Sequence, residues 1–166
     1  IYSYELYTTY GVESIIRVGS AGAYAPELKL FDVLLATAAY SESSYAHIMS
    51  GSEESLIKPS PALNQKLIDI ARVQNIPLHE GIIHSSDVFY REPWQGDKYW
   101  AQLRDEKGCQ AVEMESFALF QNALVTGKQA ACLLTISDSF VSGGVTTAEE
   151  RQKSFTQMME VALGAI

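Results

Sequence analysis

Residues 17–22, with the sequence RVGSAG, combine a guanidinium group, a hydroxyl group and glycines that leave the backbone bare. This set suits a phosphate oxyanion, because glycine lets the backbone approach the ligand while Arg17 and the amides supply hydrogen-bond donors. The stretch has neither the GxGxxG spacing nor the lysine of a P-loop. Taken alone, it fits an ordinary tight turn after a strand somewhat better than it fits an anion site.

Two carboxylates, Glu113 and Glu115, lie two residues apart where a predicted strand gives way to a predicted helix. Side chains at i and i+2 of a helix point apart. One carboxylate can therefore face a cleft and accept hydrogen bonds from a vicinal diol. The other can lie at the helix N-terminus, where the helix dipole favours an acid. The alternative is that both acids only stabilise the first helical turn.

Ser137 and Asp138 directly follow an apolar stretch. A carboxyl group at the end of a buried strand can be partly desolvated and serve as a general acid, or it can be a turn or cap residue. Arg151 lies in the predicted first turn of the last helix, where the dipole disfavours a cation. That position favours a specific carboxylate or phosphate partner for Arg151, and the alternative is a solvated arginine on the surface.

Phe89 is predicted in a loop beside the cleft, where a base could stack on its ring. The cysteines, Cys109 and Cys132, lie in apolar surroundings and are interpreted as reduced core residues of a cytosolic protein. We interpret the histidines as structural or exposed, because none has the spacing of a catalytic triad or a metal site: His47, His79 and His84.

Alternating strands and helices must position these groups. The predicted strands cover residues 14–18, 31–39, 78–84, 110–112 and 130–136. The predicted helices cover residues 1–10, 61–74, 97–107 and 115–126, and the last helix runs from a capping box at 147–150 through 165. The polar stretch 41–59 is expected to be a long surface loop.

This alternation predicts one α/β domain over residues 1–166, with a mixed, largely parallel central sheet flanked by helices. In such sheets ligands bind beyond the carboxyl ends of the strands. The candidate residues fall in four clusters at such ends: 19–22, 85–89, 112–115 and 137–138.

Composition narrows the class of protein. The chain has 166 residues, 47% of them apolar, which is enough for the core of one domain. Its formal net charge of -8 argues against a broad nucleic-acid surface. No apolar run approaches the ~20 residues of a membrane span, and no signal peptide is recognisable. A cytoplasmic protein with no nucleic-acid or membrane partner is expected.

Taken together and in this order, the motifs resemble the bacterial-type purine nucleoside phosphorylases, the hexameric branch of the nucleoside phosphorylase family. The presence of Asp138 with Arg151 downstream separates the purine branch from uridine phosphorylases, which lack that aspartate. The resemblance is carried by residues 3–6 (SYEL), 17–22 (RVGSAG), 85–90 (SSDVFY), 112–115 (VEME), 135–139 (TISDS) and 146–152 (TTAEERQ).

The resemblance implies phosphorolysis of purine (deoxy)ribonucleosides to the free base and (deoxy)ribose 1-phosphate, a step of nucleotide salvage. Inorganic phosphate would be the co-substrate, with no metal or organic cofactor. Arg17, Gly19 and Ser20 would bind the phosphate. Asp138 would protonate the purine at N7, and Arg151 would help to set its protonation state.

The resemblance also implies how the nucleoside is held. Glu115 would accept hydrogen bonds from the ribose hydroxyls. The remaining walls of the nucleoside site would be Ala21, Gly22, Phe89, Val112, Glu113, Met114 and Ser137. The implied assembly is a homo-oligomer, a hexamer built as a trimer of dimers, in which neighbouring subunits share active sites.

Relative to the family, Ile1 corresponds to an interior position. The sequence is therefore expected to be N-terminally incomplete, without a strand layer, a glycine-rich phosphate loop and a histidine and an arginine lent to a neighbour. The uncovered sheet edge would then expose apolar surface.

Two alternatives to a phosphorylase stay open. One is a hydrolase resembling methylthioadenosine/adenosylhomocysteine nucleosidase, against which Arg17 argues; the other is an inactive nucleoside-binding or assembly remnant.

Overall fold

The computed structural model describes residues 1–92, 96 and 98–166. The expected alternation of helices and strands is confirmed. In chain order the elements are α1 (Tyr2–Thr8), β1 (Ser14–Ala23), β2 (Val33–Tyr40), α2 (Tyr45–Ser50), β3 (Leu56–Ile57), α3 (Pro61–Val73), β4 (Leu78–Ser85), α4 (Tyr99–Lys107), β5 (Cys109–Glu113), α5 (Ser116–Thr126), β6 (Gln129–Ser139), α6 (Ala148–Ser154) and α7 (Thr156–Leu163).

The strands form one mixed sheet in the order β3-β2-β4-β5-β1-β6. The three longest pairings are parallel: β1 with β6, β2 with β4, and β4 with β5. The pairings of β1 with β5 and of β2 with β3 are antiparallel. Because β2 also pairs with β6 in the antiparallel sense, the sheet curls round and closes on itself as a distorted barrel.

Strand β6 shows how the sheet divides the core. Successive side chains of a strand point to opposite faces. Cys132 and Leu134 pack in the cluster that contains helix α5, whereas Ala131 and Leu133 pack in the cluster that contains α3 and α7. Both faces are buried, which is why this strand reads as a continuous apolar run. The predicted sheet flanked by helices is confirmed.

Strand β1 is longer than expected. The sequence predicted a strand that ends at Val18 and a glycine-rich turn over residues 19–22, and this turn is wrong. The strand continues through both glycines to Ala23, in parallel pairing with β6, with a register shift between Ala21 and Gly22. Pairing with a long neighbouring strand outweighs the low strand preference of glycine.

The polar stretch 41–59 is also more structured than expected. It contains the short helix α2 and the two-residue strand β3. Ala46 and Ile57 bury their side chains in the core. Because each element contributes so few apolar residues, the stretch shows no periodic pattern that would indicate secondary structure.

The last helix is divided in two. The capping box between Thr147 and Glu150 is confirmed at the start of α6. The helix breaks at Phe155, which is buried and packs edge-on against Phe31, with ring centroids 6.4 Å apart. Met159 is exposed on α7, whereas its neighbour Met158 is buried. The expected start of helix α4 at Asp97 lies outside the described residues.

Candidate active site

A cleft of about 500 Å³ lies where the carboxyl-terminal parts of β1, β5 and β6 meet. A larger groove of about 700 Å³ between β1, α3 and α7 is apolar and holds none of the predicted site residues. The cleft is lined by every predicted site residue except Gly19: Arg17, Ser20, Ala21, Gly22, Phe89, Val112, Glu113, Met114, Glu115, Ser137, Asp138 and Arg151.

Arg17 lies on β1 and connects the two carboxylates of the cleft. Its Nε donates to Glu113 Oε2 at 3.0 Å, and its Nη2 donates to Glu115 Oε2. Gly19 lies two residues further along the same face of the strand, and an added Cβ there would collide with the Arg17 guanidinium. Gly19 therefore makes room for the guanidinium and does not itself line the cleft.

The neighbours of Arg17 keep its guanidinium group protonated. Burial lowers the pKa of Arg17, but Cys132 and the two glutamates raise it, and the net shift is upward. Burial also raises the pKa of the Cys132 thiol well above its usual value. The cleft therefore presents a permanent cation, whereas the neutral thiol of Cys132 lies in the buried core and does not line the cleft.

Glu113 and Glu115 take different positions at the start of α5. The buried Glu113 carboxylate accepts hydrogen bonds from the amides of Glu115 and Ser116, each at 3.0 Å, and from the Ser116 hydroxyl at 2.6 Å. It therefore caps the helix. The Glu115 side chain is 61% exposed and faces the cleft. Glu113 stabilises the start of the helix, and Glu115 faces the cleft and pairs there with Arg17, which is the arrangement of the first of the two interpretations.

Asp138 is the penultimate residue of β6. Its Oδ1 accepts a hydrogen bond from the Ser137 hydroxyl at 2.7 Å. Its Oδ2 lies over Gly22, and a Cβ added to this glycine would stand 2.7 Å from it. The carboxyl group of Asp138 therefore depends on the bare backbone of β1 for its place in the cleft.

Arg151 lies on α6 and is exposed at the edge of the cleft. A specific partner was expected for it. Within the described residues, no hydrogen bond or ion pair holds its guanidinium in place. In the described part of the chain, Arg151 is therefore exposed at the rim of the cleft, as the alternative of a solvated surface arginine also predicts.

Two aromatic residues that line the cleft, Tyr24 and Phe140, were not predicted from the sequence. Their rings meet edge to face at 83°, with centroids 5.2 Å apart. Burial raises the pKa of the Tyr24 hydroxyl, which keeps it protonated. The position of Phe140 was readable, because it follows Asp138 by two residues at the end of a strand and so shares its face. Tyr24 gave no such signal.

The cleft thus combines a cation for an oxyanion, an exposed carboxylate for a diol, a carboxyl group for proton transfer, and aromatic walls for a planar group. Phe89 is exposed in the loop at the rim of the cleft.

Within the described ranges, no group of three His, Cys, Asp or Glu side chains is placed to hold a metal ion. None of the helices in these ranges is long and apolar enough to cross a membrane.

Comparisons with known proteins identify relatives. The sequence matches the family model described as "Phosphorylase superfamily" over residues 1–166. It is 44% identical over 165 residues to the "Purine nucleoside phosphorylase DeoD-type" of Mycoplasma genitalium, covering 98% of this chain and 68% of that protein. It is 42% identical over 166 residues to the protein of the same name from Clostridium beijerinckii, covering 100% of this chain and 68% of that protein.

One solved structure supports the fold. A futalosine hydrolase mutant of Helicobacter pylori superposes with a TM-score of 0.78 at 23% sequence identity. The match covers 98% of this chain and 71% of that chain. At this level of identity the likeness shows a shared fold and carries no information about the reaction.

Proposed function

This chain belongs to the phosphorylase superfamily, and from that premise we propose that it catalyses the phosphorolysis of purine nucleosides. The products are the free purine base and ribose 1-phosphate or deoxyribose 1-phosphate, as in nucleoside salvage. The observation that carries the proposal is the meeting of Arg17, Glu115 and Asp138 in one cleft.

The proposed reaction assigns a task to each of these groups. A phosphate oxygen forms a bond to C1' of the sugar while the bond between C1' and N9 of the purine breaks. The electron pair leaves with the base, whose N7 takes a proton from Asp138. Arg17 and Ser20 hold the phosphate in line for this attack. Because Nε and Nη2 of Arg17 contact glutamates and Nη1 lies 3.5 Å from the Val18 carbonyl oxygen, a bound phosphate would take a donor from one of these partners.

The remaining residues of the cleft would bind the nucleoside and tune the acid. Glu115 would accept hydrogen bonds from the ribose hydroxyls, and Arg151 would act with Asp138 on the base. The proposed reaction uses inorganic phosphate as co-substrate and needs neither a metal nor an organic cofactor. The base and sugar would contact Ala21, Gly22, Phe89, Val112, Glu113, Met114 and Ser137.

Incubation with inosine, with and without phosphate, tests the proposal. We expect hypoxanthine and ribose 1-phosphate only when phosphate is present. Equal release of hypoxanthine without phosphate would identify a hydrolase of the nucleosidase type instead. Binding of inosine without turnover under either condition would favour a non-catalytic nucleoside-binding protein.

Glu115→Gln is expected to narrow the preference for ribonucleosides over 2'-deoxyribonucleosides. The 2'-hydroxyl would lose a hydrogen bond to a charged acceptor, worth ~1.5–3 kcal/mol. The ratio of kcat/KM for inosine to that for 2'-deoxyinosine measures the effect. Glu27→Gln, an exposed acid away from the cleft, is the matched control. An unchanged ratio in Glu115→Gln would leave this residue with a structural role only.

The protein is further proposed to act in the cytoplasm as a homo-oligomer, a hexamer formed as a trimer of dimers. Of the tyrosines on and beside α1, Tyr7 is buried, whereas Tyr2, Tyr4 and Tyr10 are exposed. Aromatic residues are enriched at subunit contacts. Light scattering under assay conditions should give a mass well above the 18.3 kDa of one chain. A fully active monomer would contradict active sites shared between subunits.

A further inference from the structure

A chain of hydrogen bonds runs behind the cleft and is not used by the proposed reaction. At its centre is His84 on β4, whose side chain is 1% exposed. Its Nδ1 lies 3.1 Å from the Tyr24 hydroxyl, and its Nε2 lies 2.8 Å from Glu42 Oε2. A neutral imidazole satisfies both contacts, because Tyr24 donates to Nδ1 and Nε2–H donates to the carboxylate.

Glu42 extends this chain to the loop 86–91. Its second oxygen, Oε1, accepts hydrogen bonds from Arg91 Nη2 at 3.3 Å and from the Tyr99 hydroxyl. The Arg91 guanidinium also lies over the Tyr99 ring, 4.3 Å from its centroid. Arg91 is the last residue of this loop, which carries Phe89 at the rim of the cleft. Glu42 is therefore one of the groups that hold this loop, together with the hydrogen bond from Arg91 to Ser86 Oγ at 3.2 Å and that from the Ser86 amide to the Glu113 carbonyl at 2.8 Å.

The other end of the chain reaches the proposed general acid. Tyr24 packs edge-on against Phe140, which is 47% exposed and lines the cleft. The Phe140 ring and the Asp138 carboxylate both lie over Gly22, each with an atom 2.7 Å from the point where a Cβ would stand. Any shift of Tyr24 would therefore be transmitted to the wall beside Asp138.

The charge state of Glu42 fits this connecting role. Partial burial raises its pKa, but the hydrogen bond with His84, a backbone hydrogen bond and the charge of Arg91 help to outweigh burial, so that the net shift is downward. At neutral pH Glu42 is therefore a carboxylate with acceptor sites for all of its donors. Charge-assisted hydrogen bonds of this kind are stronger than those between neutral groups.

We infer that Glu42 is a positioning residue for the nucleobase. It holds the Phe89 loop through Arg91 and the Phe140 wall through His84 and Tyr24. It thereby sets the positions of two aromatic residues that line the cleft in which the purine would bind. The inference rests on the proposed function, because it takes the ligand of this cleft to be a purine.

Glu42→Gln tests the inference. Glutamine has nearly the same side-chain volume as glutamate, but its amide NH₂ group cannot accept the hydrogen bonds that Glu42 receives from His84, Arg91 and Tyr99. We expect the Kd of hypoxanthine, measured by calorimetry, to rise about tenfold, as for the loss of one hydrogen bond to a charged group. The Kd of inorganic phosphate should stay within about twofold, since Arg17 is untouched. Amide hydrogen exchange over residues 86–92 should become faster.

Two further variants sharpen the test. Glu54→Gln, an exposed acid outside the cleft, is the matched control and should leave both Kd values unchanged. Tyr24→Phe removes only the hydroxyl that contacts His84. If Glu42 and Tyr24 both act through His84, the double variant Glu42→Gln/Tyr24→Phe should lose less hypoxanthine affinity than the sum of the losses in the two single variants.

Several results would overturn the inference. Unchanged hypoxanthine binding in Glu42→Gln would do so, whether or not hydrogen exchange over the loop rises. An equal loss of hypoxanthine and phosphate affinity would also do so, because it would indicate general damage to the fold. Failure of the unmodified protein to bind hypoxanthine at all would instead overturn the proposed function, while exchange over the loop would still report whether Glu42 fastens it.

Discussion

Asp138→Asn is expected to lower the turnover of inosine by about 10²–10⁴-fold, the range that a positioned general acid contributes. Asparagine preserves the shape of the side chain and can still contact the Ser137 hydroxyl. It cannot deliver a proton to N7 of the leaving purine. Steady-state kinetics with saturating phosphate measures the loss.

The choice of substrate separates acid catalysis from simple damage to the cleft. A nucleoside of an N7-methylated purine carries a base that is already cationic, so its departure needs no proton. Asp138→Asn should therefore impair this substrate far less than inosine. Asp87→Asn, in the exposed loop but not lining the cleft, provides the control. Near-normal turnover of inosine by Asp138→Asn would remove the acid from the proposed reaction.

Glu113→Gln is expected to reduce the free energy of unfolding by about 3 kcal/mol, the lower end of the range for breaking a buried ion pair. The Glu113 carboxylate joins Arg17 on β1 to the amides and hydroxyl that open α5. Glutamine would place an NH₂ group against these donors. Urea denaturation, with an unchanged m-value, measures the effect.

An exposed acid gives the contrast for this measurement. Glu149 pairs with Lys153 on the surface of α6, and Glu149→Gln should leave the unfolding midpoint unchanged, since exposed ion pairs contribute little. A loss below about 1 kcal/mol in Glu113→Gln, the usual net value of one neutral hydrogen bond, would show that Arg17 and the helix start do not depend on this carboxylate.

The sequence predicted the α/β alternation and most of the cleft because both follow from local pattern. Apolar runs identify buried strands, and polar residues at their carboxyl ends identify the site. Asp138 and Glu115 were found in this way. The likeness to the phosphorylase family, confirmed by the family match, then joined motifs that were individually weak.

Other features depend on contacts between distant parts of the chain. The closure of the sheet pairs Val33–Leu35 with residues 133–135, and no local pattern encodes that contact. Gly19 seemed to belong to a turn, yet its role is to leave room for Arg17. His84 was rightly interpreted as structural. Its partners Tyr24 and Glu42 come from other elements and could not be read from its neighbours.

The pairing of β1 with β6 has a consequence for synthesis on the ribosome. Ser14 and Gln129, which open this pairing, are 115 residues apart in the chain. Strand β1 is made before its parallel partner and must wait for it while the residues between the two strands are synthesised. Such distant pairings slow folding and leave apolar strands exposed in the meantime. The nascent chain should therefore need protection by chaperones until β6 has left the exit tunnel.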